Sequence, residues 1–139
     1  MTIVTLGVSN LAKSTIFYEA IFGISPNSDY EGISFFELPG TWLTLYPIDK
    51  LAEDISPRVS AARGSFSGVT LAYNARSKEE VIAIFKELVC AGASIIKAPQ
   101  DTFWGGFSGY FADPDGFHWE VAWGPMFGFQ PDGSLCFEA

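Results

Sequence analysis

Hydrophobic and polar positions alternate between two periods along this chain. Ile3 to Val8 (IVTLGV) is continuously apolar and β-branched, which predicts a buried strand. From Leu11 to Phe22 the period becomes helical. Leu11, Ser14, Tyr18 and Ile21 share one stripe, Phe17 and Phe22 lie beside it, Ser9 or Asn10 caps its start, and Gly23 ends it. Ser25 to Tyr30 predicts a weak strand. Ser34 to Leu38 (SFFEL) and Trp42 to Tyr46 (WLTLY) predict strands joined by a tight turn at Pro39-Gly40-Thr41. Pro47 to Ser65 has no sustained period and reads as a linker with one helical turn near Asp49 to Glu53.

The pattern then restarts. Phe66 to Tyr73 (FSGVTLAY) predicts a strand, and Ser77 to Glu80 has the spacing of a capping box. Val81, Ile84, Phe85 and Leu88 mark a helix that Gly92 stops. Ser94 to Lys97, Gly109 to Ala112 and Phe117 to Trp123 predict strands. A loop at Gln100 to Gly106 and the turn Asp113-Pro114-Asp115-Gly116 separate them. SFFELPGTWLTLY (Ser34 to Tyr46) overlays YFADPDGFHWEVA (Tyr110 to Ala122) at a constant offset of 76, which sets Gly40 on Gly116 and Phe35 on Phe111. TLGV (Thr5 to Val8) overlays TLAY (Thr70 to Tyr73) at an offset of 65. Two βαβββ modules result: residues 1–46, then after the linker 47–65 residues 66–123, with an extension 124–139, all in one α+β domain. In that extension Met126, Phe127, Phe129, Leu135 and Phe137 are too apolar for a free tail. They predict packing across the chain's own sheet or across a partner subunit.

Composition narrows the function. Sixteen acidic against 8 basic side chains give a net charge of −8, so a basic nucleic-acid-binding face is not expected. The same field favours cationic over anionic ligands. No apolar run is long enough to cross a bilayer, and the first residues lack the basic start and long apolar run of a secretory signal, so a cytoplasmic location is expected. Cys90 and Cys136 make neither a disulfide framework nor a metal-ligand spacing. Aromatic residues are abundant at 16%, enough to fill a core and line a pocket for a flat organic ligand.

V-S-N-L-A-K-S-x-x-F-Y-x-x-x-F-G near the start and F-A-D-P-D-G-F-H-W-E-V near the end resemble the vicinal oxygen chelate superfamily. That group contains glyoxalase I, bleomycin- and fosfomycin-resistance proteins and extradiol dioxygenases. The resemblance runs from Ile3 to about Pro125. It implies two βαβββ modules forming a cupped mixed sheet around one cleft, with helices outside, and a homodimer whose partner completes the cleft. It also implies metal ligands on the first and last strand of each module. Glu120 occupies one such place, the offset of 76 gives Thr44, and the first strands give Ile3 and Gly68. Of these four only Glu120 is a metal ligand, and a divalent ion needs at least three donors. No cofactor is therefore expected. A divalent metal held in part by His118 and Glu120 is the disfavoured alternative.

Period two sorts the strand residues. With Glu120 toward the cleft, His118 and Ala122 follow, and so do Trp42, Thr44 and Tyr46, with Ile3, Thr5 and Gly7 on the opening strand. Trp119, Val121 and Trp123 then pack toward the helices. The loop Thr102 to Phe107 is a candidate rim or lid, and Trp104 reads equally as pocket rim or dimer contact. Trp42, Thr44, Tyr46, Trp104, His118 and Glu120 are the candidate ligand-binding residues; no catalytic residue is assigned. Each has a plainer reading: Glu120 as a structural carboxylate, His118 as a polar strand residue near a turn. Asp113 and Asp115 read as parts of a turn. Two functions compete. One is a metal-independent protein binding a small aromatic or cationic molecule; the other is a metal-dependent lyase, isomerase or dioxygenase of the glyoxalase type.

Overall fold

The computed structural model describes residues 1–27 and 29–138. The described chain is α+β and divides into two compact units, Met1–Gly68 and Val69–Ala139. In the first, β1 (Ile3–Val8), α1 (Leu11–Phe22), β2 (Ser34–Phe36), β3 (Trp42–Pro47) and α2 (Ile48–Ile55) follow one another. The sheet order is β1-β3-β2, with β1 parallel and β2 antiparallel to β3. The Asn10 side chain caps α1 by accepting the Lys13 N–H, and Gly23 closes it at φ 66°, a left-handed conformation that suits glycine.

Strand parity decides the core. Leu6, Val8, Leu43, Leu45 and Phe36 are buried, together with Phe17 and Tyr18 of α1. Tyr18 stacks on Phe22 at 5.6 Å, and Phe22 meets Phe36 edge-on at 5.7 Å. Each such ring or aliphatic chain contributes about 1.5–3 kcal/mol on burial. The Thr15 and Ser34 hydroxyls, 2.8 Å apart, satisfy each other at the same helix–sheet seam.

In the second unit the elements are β4 (Leu71–Asn74), α3 (Lys78–Cys90), β5 (Ser94–Asp101), β6 (Phe107–Ala112), β7 (His118–Trp123), β8 (Phe127–Phe129) and β9 (Leu135–Phe137). The order β4-β7-β6-β5 makes one sheet, and β8 and β9 pair as a hairpin. Here the βαβββ module is complete. Val81, Phe85 and Leu88 of α3 are buried, as are Phe111, Trp119 and Val121 of the sheet, and Phe111 stacks on Trp119 at 6.1 Å. Gly109 makes room for the helix, because a Cβ there would lie 2.6 Å from the Phe85 ring. β5 is an edge strand, interrupted by register shifts between Ile95 and Lys97 and between Lys97 and Gln100, and it carries Pro99.

Several boundaries differ from the sequence reading. The weak strand at 25–30 reduces to one bridge, Asn27 to Phe35, and Ser28 within it lies outside the described residues. The single turn expected near Asp49 to Glu53 is an eight-residue helix, α2, whose Ile48 packs 2.9 Å from where a Gly7 Cβ would sit. The strand expected from Phe66 starts only at Leu71; Gly68 lies ahead of it at φ 78°. β5 runs on to Asp101, so the loop after it is shorter than expected. Ser77 accepts the Glu80 N–H at 3.1 Å as a capping box requires. The Glu80 carboxylate, however, accepts from the Arg76 N–H and the Tyr73 hydroxyl rather than from Ser77.

Candidate functional site

In each unit one sheet face packs on α1 or α3; on the second face of the first unit, Ile48 of α2 lies against Gly7. In the first unit that second face carries Ile3, Thr5 and Gly7 of β1, Phe35 of β2, and Trp42, Thr44 and Tyr46 of β3. Thr44 stands opposite both Thr5 and Phe35. Trp42 is 39% exposed and Tyr46 half-buried, whereas Thr44 is 1% exposed. Its Oγ1 is buried without a hydrogen-bond partner. All seven residues are uncharged at neutral pH.

In the second unit the corresponding face carries His118, Glu120 and Ala122 of β7, flanked by Tyr110 of β6 and Ala72 of β4, both directly opposite Glu120. Lys97 of β5 stands opposite Tyr110 in turn. Tyr110 and Glu120 form a pair. Partial burial raises the phenol above its ordinary range, and the Glu120 carboxylate adds to this by its charge and by accepting the phenol's hydrogen bond. Sequence reasoning misses Tyr110. The ungapped overlay sets Phe35 on Phe111 and Ser34 on Tyr110, and Ser34 faces the helix. The ladders correct it: Phe35 faces Thr44 and Tyr110 faces Glu120. The path from Phe35 to Thr44 is one residue shorter than that from Tyr110 to Glu120 (44 − 35 = 9 against 120 − 110 = 10), and a one-residue slip exchanges the faces of a strand. On the first strands, Thr5 pairs with Thr44 and Ala72 with Glu120, so the offset is 67 instead of 65. Gly68 therefore loses its place as the counterpart of Ile3 to Thr70, which lies just ahead of β4.

Trp119 is buried against α3, and Trp123 shares its face. The Lys78 ammonium, paired with Asp101 at 2.6 Å, stands 5.7 Å from the Trp123 ring and 5.4 Å from that of Phe107. Trp104 is fixed within its own unit. Its ring covers Gly106 and Gly124, where any Cβ would collide with it, and meets Phe127 edge-on at 6.4 Å. The fully exposed aromatic of that loop is instead Phe103. Thr102 binds the loop closed: its hydroxyl accepts the Gly106 N–H at 3.0 Å, and its own N–H donates to the Gly106 carbonyl. Asp113 is buried at 4% exposure, and its Oδ1 accepts the N–H groups of Asp115 and Phe117 at 2.9 and 2.8 Å, which builds the turn preceding β7.

The donor set does not fit a divalent ion. Ile3 offers no donor, Gly68 and its register substitute Thr70 offer none and a neutral hydroxyl, and Thr44 offers a second neutral hydroxyl. Among the described residues no three His, Cys, Asp or Glu side chains come together as an ion would require.

The two helix-backed sheets, with the D-P-D-G turn leading into the strand of Glu120, define the class. The chain belongs to the Glyoxalase/Bleomycin resistance protein/Dioxygenase superfamily, whose family model matches residues 2–121. A crystallised glyoxalase-related enzyme from Fulvimarina pelagi is 34% identical and superposes with a TM-score of 0.88 over 100% of this chain and 98% of its own. The metallothiol transferase FosB of Shouchella clausii is 32% identical over 125 residues, 88% of this chain and 78% of that protein. A glyoxalase/bleomycin resistance protein/dioxygenase from Nocardioides is 27% identical, with a TM-score of 0.74 over 94% of this chain and 85% of its own. Among the described residues no helix is long and apolar enough to cross a membrane.

Proposed function

We propose that this member of the superfamily binds a small aromatic or cationic organic molecule without a divalent metal. The observation that carries this reading is the donor set: of the four strand positions that hold metal in the family, only Glu120 bears a ligating side chain. On the sheet of the first unit, the rings of Trp42 and Tyr46 supply stacking area and Thr44 a hydroxyl. On the sheet of the second, Glu120, opposite Tyr110 and two residues from His118, supplies a negative charge for an ammonium or a strong hydrogen-bond donor. Trp104 shapes the rim through the loop it anchors. The chain's excess of acidic residues favours the same ligands.

The test is a titration with proflavine, a planar aromatic cation, against 9-anthracenecarboxylate, an anion of similar shape, on protein purified without chelator and analysed for metal. Proflavine binding that EDTA leaves unchanged supports the reading. No binding of either compound, or a stoichiometric divalent metal, overturns it. The second reading is a metal-dependent lyase, isomerase or dioxygenase. Two observations favour it: the likeness to a metallothiol transferase and the placing of His118 and Glu120 on one strand face. A stoichiometric metal would select it.

The protein is further inferred to be a cytoplasmic homodimer. Phe103, Leu135 and Phe137 expose apolar area that a second copy would cover. A sedimentation mass near 15.1 kDa at micromolar concentration would overturn the dimer.

A further inference from the structure

Thr44 is the only residue among those described whose buried side-chain oxygen lacks a hydrogen-bond partner. Buried hydroxyls are nearly always paired, because a hydroxyl removed from water with nothing in exchange costs free energy in every folded molecule. The neighbours do not relieve it. Thr5 and Phe35 flank it across the ladders, and Trp42 and Tyr46 lie two residues along the same strand face. None of these strand residues carries a charge at neutral pH, so nothing on this face matches an ionic group. Ladders on both sides fix the backbone from which the hydroxyl projects, and burial of the side chain limits its freedom.

We propose that the Thr44 hydroxyl is a ligand-pairing group, left without a protein partner so that a neutral aromatic ligand bearing a hydroxyl or carbonyl satisfies it. This deepens the small-molecule reading and rests on it. The Thr44 face takes the ring and selects among flat molecules by one hydrogen bond. A site built to bond a polar group discriminates strongly against the analogue that lacks it, because the site's own group is then left buried and unpaired.

The experiment compares wild type, Thr44→Val and Thr44→Ser in two measurements. The first is thermal unfolding without ligand. Thr44→Val replaces the hydroxyl by a methyl of the same shape, and its Tm is expected to rise by about 2–4 °C because an unpaired buried hydroxyl has gone. The second is binding of 2-naphthol and 2-methylnaphthalene, which differ only in a hydroxyl against a methyl. Wild type and Thr44→Ser are expected to prefer 2-naphthol by about tenfold, and Thr44→Val to lose that preference while still binding 2-methylnaphthalene. A lower Tm for Thr44→Val overturns the proposal, since the hydroxyl is then paired within the folded protein. So does a naphthol preference that survives in Thr44→Val. If wild type binds proflavine but shows no naphthol preference, only the Thr44 assignment falls. If it binds neither naphthalenes nor proflavine, the small-molecule reading falls and this inference with it.

Discussion

Tyr110 faces Glu120 directly across the β6–β7 ladder, close enough for the carboxylate to help hold the phenol's proton. The pairing ties the surroundings of Glu120 to a neighbouring strand. It also gives the alkaline behaviour of the protein a definite sign. Burial, then the charge and hydrogen bond of Glu120, hold the Tyr110 proton more tightly in the folded chain than in the unfolded one. Below the ordinary tyrosine value of 10.0 both states are protonated and the interaction is intact. As pH rises past about 10 the unfolded chain ionises first, and stability falls until the folded phenol ionises too. Tyr73, raised by burial and by Glu80, adds to the same fall. Absorbance titration at about 295 nm, where tyrosinate absorbs, should show ionisation above the normal range, and Tyr110→Phe should remove part of that late fraction. An unchanged late fraction in Tyr110→Phe would contradict the pairing.

Glu120→Gln keeps the shape of the side chain but removes the charge. A charge-assisted hydrogen bond contributes about 1.5–3 kcal/mol, so proflavine affinity is expected to fall about 10- to 100-fold. Affinity for 2-methylnaphthalene, which has no charge to match, is expected to change less than about threefold. Equal losses for both compounds would show that Glu120 shapes the fold instead of pairing with ligand.

Gly106 is fixed by backbone as well as by a ring. A Cβ there would lie 1.8 Å from the Trp104 ring and 2.6 Å from the Trp123 carbonyl oxygen. Gly106→Ala should therefore lower stability by about 1–3 kcal/mol, read as a shifted urea midpoint. Adding Trp104→Ala removes the ring but not the carbonyl, so the double variant should not recover wild-type stability.

Ser77→Ala deletes the hydroxyl that accepts the Glu80 N–H at the start of α3. The expected loss is about 1 kcal/mol, measured by urea unfolding. The conservative change Ser77→Thr should keep most of the wild-type stability, because threonine caps by the same oxygen.

How much of this was legible in the sequence depends on which interactions set each feature. Helices α1 and α3 announced themselves through local chemistry, whereas uncapped α2 did not: Asn10 and Ser77 cap, Gly23 stops, and Phe17 and Tyr18 face inward. The α+β class and the sorting of β7, with Trp119 inward and Glu120 on the other face, followed from strand parity. Pairing between strands was not legible, because register depends on turn length and on partners distant in sequence. A one-residue difference in register between the β2–β3 and β6–β7 ladders hid Tyr110, and a two-residue difference on the first strands changed the counterpart of Ile3. The loop at Trp104 looked mobile from its two glycines. In the structure Gly106 makes room for the indole that anchors it, and only Gly105, at φ 86°, serves the turn itself.

Among the described residues β5 leaves one row of backbone groups unpaired along eight residues, with Ile95 and Ile96 apolar and exposed. Left flat, such a row would recruit another chain strand to strand and seed fibrous deposits. Two breaks in its ladder, a proline that cannot donate, and Lys97 make it a poor template. Pro99→Val, which restores a donor to that row, is expected to make the chain precipitate faster on storage, read as light scattering against time.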